Sequence, residues 1–153
     1  MGSGPPVVVI PGIQGRWEGM KPGIQTLAKH CRVITFSLAD EPSCHTSFDV
    51  QRGFDCYVDQ VRDALDTAGI DRAAICGVSY GGVIAAAFAA RYPERTASLV
   101  MVSALPLSWK PDRRVRFYMR APGVLTPIFL IASLRLFREI AAANCGTARG
   151  IGP

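Results

Sequence analysis

Residues 73–90 read AAICGVSYGGVIAAAFAA, and this stretch decides the fold. The apolar run at 73–76 predicts a strand, residues 77–82 an abrupt turn, and the small-residue run at 83–90 a helix. A serine sits at the corner, flanked by Gly77 and Gly81 in the pattern G-x-S-x-G. In that pattern the serine takes a strained backbone position that lifts its Oγ above the end of the strand. The two glycines fall where strand and helix pass too closely for a Cβ. The N–H groups at the helix start favour negative charge beside the serine. Such a corner presents a weak alcohol nucleophile for acyl transfer, so Ser79 is the candidate catalytic residue.

Working outward, the same alternation of strand and helix recurs. Residues 7–10 (VVVI) form a β-branched run between prolines and read as a buried strand that runs into the turn Pro11-Gly12-Ile13-Gln14-Gly15. A short helical pattern spans 24–27, and residues 32–36 (RVITF) predict a second strand. Residues 38–49 read as a loop. Phe54, Tyr57, Val58, Val61, Leu65 and Ala68 recur at helical spacing, and Asp55, Asp59, Arg62, Asp63 and Asp66 fill the opposite, solvated face. Gly69 is placed to stop that helix. Pro93 ends the next one, and residues 97–102 (ASLVMV) predict a fourth strand. Such alternation implies an α/β fold with a parallel, doubly wound sheet flanked by helices. Ligands bind such sheets outside the carboxyl ends of the strands, where Gly12, Ile13, residues 37–45, Ser79 and residues 103–105 fall.

From Lys110 the alternation stops. Residues 112–120 and 124–143 predict helices, and 144–153 predict a disordered tail. The expected organisation is therefore a sheet core at 1–107, a helical segment at 108–143 and the tail. The net charge of +5 is unevenly spread. Through Leu99, nine Lys/Arg stand against ten Asp/Glu; from Val100 onward, eight stand against two. A basic end suits solvated helices, an acidic partner or a membrane surface, the last reading resting on residues 124–138.

Five cysteines show no metal-ligand spacing with the two histidines. An odd count without a signal peptide fits a reducing, cytoplasmic setting. The apolar run at 124–134 is broken by Pro127 and is too short for a transmembrane segment. No glycine-rich nucleotide-binding pattern occurs, and neither a cofactor, a metal nor a nucleic acid partner is implied.

With the elbow, the early Pro-Gly turn and four alternating strands in view, residues 7–107 resemble the α/β-hydrolase fold family of serine hydrolases. They look like its N-terminal half, with the start of a helical cap following. The resemblance implies a small acyl-type substrate (an ester or thioester) and an oxyanion hole built from backbone N–H groups. Mapped onto this sequence, those donors are Ile13 and Tyr80. Where the family often has histidine before the glycine of the early turn, this chain has Pro11; a backbone donor does not depend on that side chain.

The family's triad runs Ser, then Asp or Glu, then His. No histidine follows Ser79 here. The later acids are Glu94 in a helix-ending turn, then Asp112 and Glu139 in the predicted cap helices, and none ends a strand. His45, in the loop after the second strand with Asp40 or Asp49 to orient it, is the one upstream candidate base. His30 falls at the wrong end of the sheet. The chain is therefore expected to be an N-terminal fragment that lacks the family's acid and base. A non-catalytic ligand- or partner-binding module is the alternative, and an exposed apolar sheet edge invites self-association. Trp17 and Tyr80 are candidates for lining an acyl pocket, Trp17 equally for core packing.

Overall fold

The computed structural model describes residues 1–42, 44, 48–104, 110, 111 and 113–120. The chain divides into two units, Met1–Trp109 and Lys110–Pro153. Four parallel strands make the sheet of the first unit: β1 (Pro6–Ile10), β2 (Arg32–Thr35), β3 (Ala73–Val78) and β4 (Thr96–Val102), in the order β2-β1-β3-β4. Helix α1 (Lys21–Leu27) follows β1, α2 (Asp55–Thr67) follows β2, and α3 (Tyr80–Arg91) follows β3.

Alternate residues of the strands feed two separate cores. Val8, Ile10, Ala73 and Ile75 lie with Val58, Val61, Leu65, Ile84 and Phe88 of α2 and α3. Val9 and Val33 lie on the other face with Ile24 of α1. Helices thus cover both faces, which is why the strand sequences are apolar without alternation. Fully burying a side chain the size of Ile75 or Phe88 contributes about 2–3 kcal/mol. Trp17 packs into the α1-side core beside Val9 and Val33.

Helix α2 ends as its sequence predicts. Gly69 has φ +63°, its N–H donates to Asp66 O at 3.0 Å, and the Ile70 N–H donates to Leu65 O at 3.0 Å. This is the paired C-terminal motif that needs a left-handed residue, with Ile70 and Leu65 both buried above it. A Cβ on Gly69 would meet no atom within 4 Å. Gly69→Ala is therefore expected to cost only the backbone penalty, about 1 kcal/mol, in urea denaturation.

The polar face of α2 is solvated as expected at Asp55, Asp63 and Asp66 and departs from that at Asp59. Asp59 is 7% exposed and is held between the guanidinium groups of Arg52 and Arg62. Asp55 pairs with Arg91 at 2.7 Å, tying α2 to α3. Across the end of α2, Arg95 donates to Asp66 Oδ1 at 2.7 Å in the last turn and to Ile70 O at 3.0 Å and Asp71 O at 2.6 Å beyond it.

Boundaries also shift at the elbow. Strand β3 runs through Gly77 and Val78, which pair with Met101 and Val102, and α3 begins at Tyr80 rather than at residue 83. The turn is thus Ser79 alone. Strand β4 closes one side of the sheet and has no neighbour beyond it among the described residues. Its apolar residues Leu99, Val100, Met101 and Val102 are 40–44% exposed. In the second unit, α4 (Arg113–Arg120) lies within the helix expected at 112–120, while the predicted helix at 124–143 and the tail at 144–153 fall outside the described residues. No helix among the described residues is long and apolar enough to cross a membrane.

Candidate active site

The sheet order places a switch between β1 and β3: the chain leaves β1 toward β2 on one side and returns as β3 on the other. Doubly wound sheets bind ligands at the carboxyl ends flanking such a switch. The turn after β1 and the elbow after β3 meet there.

Ser79 has φ +53° and ψ −118°, a region that costs a non-glycine residue about 1–3 kcal/mol. It is exposed, and it caps α3 without a side-chain hydrogen bond. Three glycines make the corner possible. A Cβ on Gly77 would collide with the Gly81 carbonyl and Gly82 Cα. One on Gly81 would collide with the carbonyls of Ile10 and Pro11, and one on Gly82 with the Ala104 side chain. The strand, the helix and the turn after β1 are therefore in backbone contact.

Gly12 brings that turn onto the serine: a Cβ built there would lie 3.3 Å from Ser79 Cβ and 3.9 Å from its Oγ. The turn is closed by the Gly15 N–H donating to Gly12 O at 2.9 Å, and the loop after β2 is tied to it by the Leu38 N–H donating to Gly15 O at 2.7 Å. The elbow is anchored by the Ser79 N–H donating to Val102 O at 2.9 Å and the Gly82 N–H donating to Ser79 O at 3.0 Å. These bonds leave the N–H groups of Ile13 and Tyr80 without an acceptor among the described residues. The Ile13 side chain is 77% exposed. Ser103, next along from the Val102 carbonyl, also has positive φ at +48°, a feature no sequence signal announced.

An aromatic wall backs the elbow. The Tyr80 ring meets Phe54 and Tyr57 edge-on at 6.3 and 6.1 Å, and Phe48 lies 5.3 Å from Tyr57. Burial, the Asp40 charge and a hydrogen bond donated to the Asp40 carboxylate push Tyr57 up to about 12; burial and the same charge also raise Tyr80. The folded value for Tyr57 lies above its ordinary 10. The stability it supplies is therefore complete below about pH 10 and lost as pH rises toward 12. Urea denaturation between pH 9 and 11 is expected to show this fall. Tyr57→Phe is expected to flatten it by up to about 1 kcal/mol per pH unit, leaving the Tyr80 contribution.

Other sequence candidates fall elsewhere. His30 is exposed in the turn between α1 and β2, at the end of the sheet away from Ser79. His45 lies outside the described residues. Asp40 faces Tyr57 rather than a histidine among the described residues. Trp17 belongs to the α1-side core. Burial raises the Cys76 thiol, so this cysteine under the elbow is held protonated.

Residues 5–126 match the family described as the alpha/beta hydrolase fold. The chain belongs to the alpha/beta hydrolase fold family. This family member is 29% identical over 114 residues to 2-hydroxy-6-oxo-2,4-heptadienoate hydrolase of Pseudomonas putida, covering 72% of the chain and 41% of that protein. It is 33% identical over 117 residues to 2-hydroxymuconate semialdehyde hydrolase of a Pseudomonas species, covering 71% and 39%. Among solved structures, a marine microorganism esterase superposes with a TM-score of 0.67 at 17% identity, over 81% of this chain and 47% of that one. This alpha/beta hydrolase chain thus spans about two-fifths of the length of these curated relatives.

Proposed function

We propose that the chain carries the nucleophile and oxyanion hole of a serine hydrolase acting on a small ester, thioester or related acyl substrate. The observation that supports this most is Ser79 at positive φ, exposed, with Gly12 of the opposite turn against it. The Ser79 Oγ attacks the acyl carbon, its proton passing to a base. The carbonyl oxygen becomes an oxyanion, which accepts hydrogen bonds from the Ile13 and Tyr80 N–H groups, and the leaving group departs protonated. Water then releases the acid from the acyl-enzyme. Removing one such donor elsewhere lowers turnover about 10²–10³-fold, so the two amides carry much of the chemistry. The names of the two Pseudomonas relatives, both hydrolases of small oxo compounds, fit a small carbonyl substrate.

In this proposal the orienting acid and the base come from polypeptide beyond these 153 residues, because no histidine follows Ser79. Covalent labelling by a fluorophosphonate, lost in Ser79→Ala, tests the assignment. The exposed β4 favours a second reading, a self-associating or partner-binding module. Size-exclusion chromatography is then expected to give a discrete oligomer that Val100→Lys disperses; a monomer at all concentrations removes that reading.

A further inference from the structure

We infer that α4 docks on the surface of an anionic phospholipid bilayer. Its eight residues, RRVRFYMR, hold four arginines and no acidic residue. Arg113, Arg116 and Arg120 follow at i, i+3 and i+7, so they share one helix stripe, and Phe117 falls within it. The three arginines are exposed, Phe117 is 57% exposed, and the four side chains line one groove of about 330 Å³.

This combination matches a lipid headgroup layer. Planar guanidinium groups donate to phosphate oxygens two at a time, and an exposed phenyl ring among them enters the acyl boundary. A helix that recognised only dissolved phosphate or nucleic acid would gain nothing from that ring beyond stacking. The sequence beyond α4 continues in the same sense: residues 124–134 are apolar apart from Thr126, Pro127 and Ser133, and Arg135 and Arg138 follow. The excess of basic residues is confined to this end of the chain, eight against two from Val100 onward. Attraction to an anionic leaflet is therefore local rather than a property of the whole molecule.

The test is co-sedimentation of the full chain with vesicles of phosphatidylcholine alone or with 30% phosphatidylserine. The expected result is binding to the anionic vesicles at least about tenfold tighter than to neutral ones, weakening as salt rises from 50 to 500 mM. Replacing Arg113, Arg116 and Arg120 together with glutamine is expected to lower that binding about 100-fold. Phe117→Ser, with every charge kept, is expected to lower it about tenfold. Far-UV circular dichroism and a tryptophan spectrum unchanged from the parent keep these comparisons valid. Equal binding to both vesicle types, or full binding by the triple glutamine variant, overturns the proposal. So does tighter binding to a short single-stranded RNA than to the anionic vesicles. None of these readouts depends on Ser79, so the proposal stands or falls apart from the hydrolase reading.

Discussion

Ser79→Ala is expected to abolish labelling of the chain by a fluorophosphonate, and added imidazole is expected to speed labelling of the unaltered chain by about tenfold or more. The first effect follows from the nucleophile itself: alanine keeps the Cβ that sits against Gly12 and removes only the oxygen. The second follows from the proposal that the base lies outside these residues. A serine hydroxyl is a poor nucleophile at neutral pH unless its proton has somewhere to go. A positioned general base contributes about 10²–10⁴-fold. Free imidazole lacks the orientation of a tethered side chain and recovers only part of that. His45→Ala is expected to change neither rate. Labelling that is fast without imidazole and lost in His45→Ala would place the base inside the chain and defeat the proposal of an external one. Imidazole acceleration that persists in Ser79→Ala would remove Ser79 from the chemistry.

Gly77→Ala is expected to destabilise the fold by at least about 3 kcal/mol. The added Cβ would meet the Gly81 carbonyl and the Gly82 backbone, and neither can swing aside as a side chain would. Relief requires α3 to lift from β3, which breaks the burial of Ile84, Ala85 and Phe88. Effects above 3 kcal/mol arise from a short set of causes, of which backbone collision in a packed core is one. Gly81→Ala, with the carbonyls of Ile10 and Pro11 in the way, is expected to behave alike. Urea denaturation followed by circular dichroism measures both. A loss under about 1 kcal/mol, the size expected at open Gly69, would mean that strand and helix do not approach as described.

Much of this architecture could be read from local pattern. The β-branched run at 7–10, the helical stripe from Phe54 to Ala68 and the glycine after it each announced their elements, because one face or both had to be buried. The exit from β3 was read less well. Gly77 and Gly81-Gly82 look like turn residues by propensity, yet the first lies in the strand and the others in the helix. The close approach expected at Gly77 and Gly81 is there, but it falls inside the strand and the helix, so the boundaries and not the reason for glycine differ. Asp59 looked solvated because helical spacing cannot reveal that Arg52, seven residues earlier, folds back to cover it. The candidate site was partly legible. Ser79 stands out through its glycines, and Ile13 through the family resemblance. The Tyr57–Asp40–Tyr80 cluster joins two helices and the loop after β2 and leaves no mark in any local window.

Arg95 has a consequence for where this molecule can yield. One guanidinium gathers acceptors from the last turn of α2 and the connection that leads into β3, so those segments form a single stiff hub. That hub sits at the foot of the sheet. Amide exchange is therefore expected to be slowest at the foot and faster at the rim, around residues 12–16 and 37–41.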